Sequence, residues 1–259
     1  MEKLKTAGYA PVNGLNMYYE IHGNGSMPLV LVHGGGSTIE TSFGNIMPLF
    51  SAYSKVIAVE LQAHGRTSDR DAPESFEQDA DDVAGLLKYL KVDKANFLGF
   101  SNGGSTVMQI AIRHAEIVNK IIVIAGAYKR DGFISGFFDG FKNATLANMP
   151  DTLKEAYLKV APDKNQLQVM FDKDVARMET FKDWSDDALR SIKAPALFMV
   201  ADRDVITVEH TIQMSHLVQG AQLVVLPGTH GLIIGEAGAK KDSKLPGITA
   251  ALVEEFLNE

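Results

Sequence analysis

Six residues near the middle of the chain, Gly99-Phe100-Ser101-Asn102-Gly103-Gly104, constrain its fold more than any other stretch. They follow the apolar run Ala95 to Leu98, which reads as a buried strand, and lead into Thr106 to Ile112, which reads as a buried helix. A serine on a strand-to-helix turn, with glycines two before and two after it, has the G-x-S-x-G pattern of a nucleophile elbow. A turn that sharp brings the strand and helix backbones too close for a Cβ at Gly99 or Gly103. It also lifts the serine hydroxyl above the sheet edge. Short glycine patterns arise by chance as well, so the rest of the chain has to decide.

That context is an alternation of strands and helices. Ala7 to Val12 and Leu15 to Ile21 flank Asn13-Gly14, a two-residue hairpin signal. Pro28 to Val32 is wholly apolar, as suits a parallel strand covered on both faces, and Lys55 to Val59 reads as another buried strand. A helical segment through Phe43, Met47 and Phe50 separates the two. Ser75-Phe76-Glu77-Gln78 reads as a capping box opening a helix whose apolar positions, Phe76, Ala80, Val83, Leu87 and Leu90, keep helical spacing. After the elbow come a strand at Ile121 to Ala125 and, much later, strands at Ala196 to Val200 and Leu223 to Leu226. The helix Val208 to Leu217 lies between those last two, and a final helix spans Ile248 to Leu257. The fold class is α/β, with a mostly parallel sheet covered on both sides.

The rhythm breaks between Tyr128 and Lys193. Three apolar stripes there suggest helices: Phe133, Phe137, Phe138 and Phe141; then Leu153, Ala156, Tyr157 and Val160; then Leu167, Met170 and Val175. The expected organisation is a core over 1–127, a helical cap over 128–193 and a second part of the core over 194–259.

Composition removes other function classes. A length of 259 residues, 46% of them hydrophobic, suits one large domain with an insertion. A net charge of −7 argues against nucleic acid or an anionic membrane as partner. With no cysteine, disulfides, thiolate metal sites and a cysteine nucleophile are excluded. No HExxH-like spacing occurs, so neither a metal nor another cofactor is expected. The charged start, Met1 to Lys5, lacks a signal core, and no apolar run reaches the roughly 18 residues of a membrane span. The expected compartment is the cytoplasm.

Ser101 needs a base, and the base an orienting carboxylate. In open α/β sheets such groups gather at the carboxyl ends of strands. His230 follows the strand Leu223 to Leu226, while Asp202 and Asp204 both follow the strand Ala196 to Val200. The order Ser, Asp, His is the one expected after such an elbow. Asp204 is preferred as the acid: Val205-Ile206 can keep its surroundings dry, and Thr207 can cap the next helix. Asp202, beside Arg203, reads as a surface carboxylate. His33 and His64 read as loop-tying groups, His22 as a hairpin-end residue, and His114, His210 and His216 as surface groups on helices. For a developing oxyanion, the N–H of Asn102 at the helix start is one donor. Gly35, with Gly36 as runner-up, supplies the other.

Together these motifs resemble the α/β-hydrolase superfamily from Tyr18 to Phe256. The residues that carry the likeness are His33-Gly34-Gly35-Gly36, Gln62-Ala63-His64-Gly65-Arg66, the elbow, Ala201-Asp202-Arg203-Asp204 and Gly228-Thr229-His230. The resemblance implies an eight-stranded, mostly parallel sheet with the second strand antiparallel and a helical cap after the sixth strand. It also implies the roles given to Ser101, Asp204 and His230. Glu60 stands where family members often have Asp, and Ala63 and Ala201 stand where they often have Gly. A serine nucleophile sets the chain apart from the haloalkane dehalogenases and epoxide hydrolases of that superfamily, which use a carboxylate.

Most of the large apolar side chains between Tyr128 and Trp184 pack the cap, but a small cap leaves some facing Ser101. Phe137, Phe138 and Trp184 are the expected substrate contacts, under an apolar roof suited to a small molecule. Lys129 and Arg130, at the cap entrance, leave room for an anionic substrate. The leading expectation is a carboxylesterase-like serine hydrolase acting through an acyl-enzyme on a small ester, thioester or lactone with an apolar moiety. A carbon–carbon bond hydrolase, a cofactor-free lyase or oxygenase, and a non-catalytic ligand sensor share the fold.

Overall fold

The computed structural model describes residues 6–259, and the charged start Met1 to Lys5 lies outside the described residues. Strands β1 (Thr6–Val12) and β2 (Leu15–His22) form the expected hairpin. Its turn is left-handed at both residues, with φ of 46° at Asn13 and 84° at Gly14, the geometry that asparagine and glycine tolerate best. Six more strands follow: β3 (Leu29–Val32), β4 (Val56–Val59), β5 (Ala95–Phe100), β6 (Val118–Ile124), β7 (Ala196–Arg203) and β8 (Gln222–Thr229). They assemble in the order β1-β2-β4-β3-β5-β6-β7-β8. The pairs β1–β2 and β2–β4 are antiparallel and every other pair is parallel, so β2 is the antiparallel strand of an eight-stranded sheet.

The wholly apolar strands bury both faces, and their alternate residues enter different cores. Ile57, Val59 and Phe97 point to one side, with helices α3 (Phe76–Tyr89) and α4 (Asn102–Arg113). Val56, Ala58, Leu98 and Phe100 point to the other. There they meet α1 (Ile39–Phe43), α2 (Met47–Ser51) and the last helix, which begins earlier than its apolar pattern suggested. The single helical segment expected around Phe43 to Phe50 is thus two short helices. Only half of the expected capping box forms at α3. Ser75 Oγ accepts the Gln78 N–H at 3.1 Å, but the Gln78 side chain turns away to Asp82. Thr38 and Thr41 make the reciprocal box at α1 instead.

Between β6 and β7 lie α5 (Asp151–Val160), α6 (Gln166–Thr180) and α7 (Asp186–Arg190). The phenylalanine stripe before them is not a helix but a set of short 3₁₀ turns. Gly132, Gly136 and Gly140 punctuate it every fourth residue, and Gly136 is left-handed with φ 80°. Glycine's backbone entropy overrides the apolar spacing there. Two further helices, α8 (Val208–Leu217) and α9 (Leu245–Asn258), complete the layers. Among the described residues no helix is long and apolar enough to cross a membrane.

Candidate active site

The elbow joins β5 to α4, and its crowding can be measured. A Cβ on Gly99 would lie 2.0 Å from the Gly103 carbonyl oxygen, and one on Gly103 would lie 2.1 Å from the Val32 carbonyl oxygen. Ser101 itself sits at φ 56°, ψ −122°, a strained conformation for a residue with a side chain, and its N–H is anchored to the Ile124 carbonyl at 2.9 Å. The hydroxyl is thereby fixed at the carboxyl edge of the sheet.

Two loops at the same edge bring its partners. Ser101 Oγ lies 3.1 Å from His230 Nε2, and His230 Nδ1 lies 2.6 Å from Asp204 Oδ1. The His230 ring packs on Phe100, with centroids 4.8 Å apart. Burial pulls the His230 pKa down, but the hydrogen bond and charge of Asp204, helped by Glu236, outweigh it and hold it above the ordinary histidine value. Asp204 is buried, and its Oδ1 also accepts the Ile206 N–H at 3.2 Å. Asp202 lies elsewhere: exposed on β7, it accepts the Gly228 N–H at 2.7 Å and ties β7 to the end of β8. A register shift between Ala201 and Arg203 explains why strand parity alone could not separate the two acids.

The glycine loop after β3 stands opposite. His33 is wholly buried, its pKa pulled down to about 3 chiefly by desolvation, so the ring is neutral. Its Nδ1–H donates to the Gly34 carbonyl at 2.7 Å, and its Nε2 accepts the Leu61 N–H at 3.1 Å. A trans peptide points its N–H away from its carbonyl. Holding the Gly34 carbonyl therefore aims the Gly35 N–H the other way, and Gly35 lines the same cavity as Ser101 and Asn102. Gly36, the runner-up, is committed elsewhere: its N–H is bonded to Asp174. The Asn102 N–H opens α4, where no carbonyl of the same helix can reach it.

Asp174 is the participant that the sequence did not disclose. It descends from α6, is half-buried at the cavity wall, and also bonds His64 Nε2 through Oδ2 at 3.0 Å. Burial alone would lower the His64 pKa, but Asp174 and Glu74 raise it to about 9. Burial likewise opposes the charge on Asp174, yet His64, Arg177 and the Gly36 N–H bring its pKa down to about 2. His64 ties its loop as expected, since Nδ1 donates to the Gln62 carbonyl at 2.8 Å, but it also reaches the site through Asp174.

These groups open onto a cavity of about 470 Å³. Gly35, Ser101, Asn102 and His230 form its polar floor, and its roof comes from the segment between β6 and β7 and is apolar apart from Asn148 and Asp174. Phe137 is in the lining; Phe138 and Trp184 are not. Phe138 lies under the Arg130 guanidinium at 3.5 Å, and Trp184 packs edge-on against Phe76 and Phe181. Both were expected as substrate contacts, and both are spent on holding the aromatic cluster together. Phe141, Phe171 and Phe181 line the cavity in their place. Lys129 is paired with Asp186 at 2.7 Å, and neither it nor Arg130 reaches the lining. His210, expected at the surface, is buried against Tyr128 with ring centroids 4.9 Å apart, and desolvation lowers its pKa to about 4.

A family model described as alpha/beta hydrolase fold matches residues 27–204. The chain belongs to the alpha/beta-hydrolase fold family. It is 27% identical to the human serine hydrolase BPHL over 239 residues, covering 88% of this chain and 81% of that protein. It is 29% identical over 136 residues to the dihydrolipoyllysine-residue acetyltransferase component of the acetoin cleaving system of Cupriavidus necator. That match covers 52% of this chain and only 36% of the relative's length. Among solved structures, the enol-lactonase of Burkholderia xenovorans LB400 superposes with a TM-score of 0.74 at 21% identity, covering 97% of this chain and all of that one. Proteins so named differ in their chemistry, and the chemistry of this chain has to be argued from its own residues.

Proposed function

We propose that the protein is a serine hydrolase of small carboxylic esters, thioesters or lactones whose acyl part is apolar. Ser101 Oγ attacks the carbonyl carbon while His230 Nε2 takes its proton, and Asp204 steadies the imidazolium that results. The oxyanion is received by the N–H groups of Gly35 and Asn102. As the carbon–oxygen bond breaks, His230 returns the proton to the leaving alkoxide, and an acyl-enzyme remains. Water then attacks with the same proton transfers and releases the acid. The segment 128–193 acts as the cap that roofs the substrate.

One observation carries this reading: the Ser101–His230–Asp204 relay opens onto a cavity whose lining, among the described residues, holds no lysine or arginine. The charge lining it beyond the relay is the carboxylate of Asp174. A ring-fission dienone acid brings its own carboxylate and would find no lysine or arginine in the lining to receive it, which sets the carbon–carbon reading second. A pure ligand sensor has no use for the relay.

The test is a rate comparison across p-nitrophenyl esters from acetate to octanoate, with a ring-fission dienone acid as comparator. The reading expects ester hydrolysis that disappears in Ser101→Ala. Faster turnover of the dienone than of every ester would replace it with carbon–carbon cleavage.

A further inference from the structure

The glycine loop that carries the proposed oxyanion donor is held from two sides, and the second side is the cap. On the core side, His33 holds the Gly34 carbonyl, and Ser42 Oγ accepts the Gly34 N–H at 3.3 Å. From the core the next peptide plane meets His64 Nε2, 3.2 Å from the Gly36 nitrogen but carrying its own proton toward Asp174, and makes a long contact from Ser37 Oγ to the Gly35 carbonyl at 3.4 Å. Its N–H, that of Gly36, is taken by Asp174 of α6. Gly36 is left-handed at φ 63°, so neither helix nor strand geometry holds this plane in place.

Helix α6 is itself pinned to the core by three neighbouring charges. Lys173 donates to Asp69 at 2.6 Å, Asp174 pairs with His64, and Arg177 meets Glu74 at 2.5 Å and Asp79 at 3.0 Å. A Cβ on Gly35 would lie 2.6 Å from Asn102 Nδ2 and 3.3 Å from Asp174 Oδ2, so the cap carboxylate and both donor residues converge on one point.

We propose that Asp174 is a positioning residue that fixes the Gly35–Gly36 peptide, so that the oxyanion hole is complete only while α6 is seated on the core. This rests on the proposed serine-hydrolase function, in which Gly35 and Asn102 are the oxyanion donors. A carboxylate so near a developing oxyanion would oppose it if left uncompensated. His64, held protonated below about pH 9, and Arg177 supply the compensating charge. The pair is therefore part of the same device: Asp174 supplies the acceptor for the loop, and His64 cancels its field.

The experiment compares Asp174→Leu, which keeps the branching at Cγ and removes the acceptor, with Asp174→Asn, whose amide oxygen still accepts from Gly36. Kinetics on p-nitrophenyl butyrate, inactivation by a p-nitrophenyl phosphonate, and thermal melts are read together. Deleting an oxyanion donor outright costs about 10²–10³ in kcat, so misaligning one with Asp174→Leu should cost roughly 10–100-fold. KM should stay within about threefold, since the contact is made to the transition state. Phosphonate inactivation should slow in parallel, and Asp174→Asn should recover most of the loss. Asp174→Ala, which has no side-chain acceptor, takes the place of leucine if that variant does not fold. Unchanged kcat in the leucine or alanine variant overturns the proposal, as does an asparagine variant no better than leucine. Failure of the underlying reading is distinguishable, because Ser101→Ala would then keep its activity whatever Asp174 does.

Discussion

Gly103→Ala asks whether close backbone approach is what places the serine. The new Cβ would lie 2.1 Å from the Val32 carbonyl oxygen and 2.5 Å from that of His33, both fixed backbone atoms. Ordinary contact begins at 3.4 Å, so the first turn of α4 must retreat by about 1.3 Å (3.4 − 2.1). Carried into the elbow, that shift stretches the 3.1 Å contact between Ser101 and His230 beyond hydrogen-bonding range. A misplacement of about 1 Å at a reacting group costs on the order of 10²-fold in rate. Overpacking of this kind also costs roughly 1–3 kcal/mol of stability. For a chain of this size each kcal/mol lowers Tm by about 2–4 °C. Gly247→Ala is the matched control, because it is exposed on α9 away from the cavity and nothing lies within 4 Å of its Cβ position. Initial rates on p-nitrophenyl butyrate, with far-UV circular dichroism and thermal melts, read both effects. Wild-type kcat in Gly103→Ala, with Ser101 still required, would refute the argument that crowding at the turn aims the hydroxyl.

The remaining predictions concern the acid and the roof. Asp204→Ala should lower kcat by about 10⁴, as loss of a relay carboxylate does elsewhere. Asp202→Ala should cost activity little, since its bond is to the Gly228 N–H at the surface. The reverse pattern in steady-state rates would reassign the acid. Because Asp204 raises the His230 pKa and the base must be neutral, kcat/KM should fall as pH drops through a value above 6.5. In Asp204→Ala the residual activity should lose its acid limb at lower pH, because burial without the anion favours the neutral ring; an unmoved limb contradicts this. Phe137→Ala should change chain-length preference, whereas Phe138→Ala and Trp184→Ala should mainly lower Tm. Equal effects of all three on every ester would show the roof to be packing only.

What could be read in the sequence was what local chemistry decides. Strands such as Val56–Val59 announce themselves by apolar side chains at every position, because both sheet faces are covered. The elbow announces itself because only glycine survives at Gly99 and Gly103. The approach of Asp204 to His230 followed from strand ends and chain order. What stayed hidden depends on distant parts of the chain. Asp174 meets Gly36 across 138 positions, and in sequence it is one carboxylate among several on a polar helix. The phenylalanine stripe kept helical spacing, but three glycines decided its backbone and its cluster decided which rings face the cavity. His210 lies on a helix that looks amphipathic, and its burial is imposed by Tyr128 from the far side of the cap segment.

The most direct test of the account is covalent labelling with a p-nitrophenyl alkylphosphonate, followed by mass spectrometry of the peptides. Ser101, strained at the elbow and bonded to His230, should carry a single stoichiometric adduct. Folded Ser101→Ala should carry none. An adduct that survives Ser101→Ala, or that maps to another residue of the wild-type chain, would contradict the claim that Ser101 is the nucleophile.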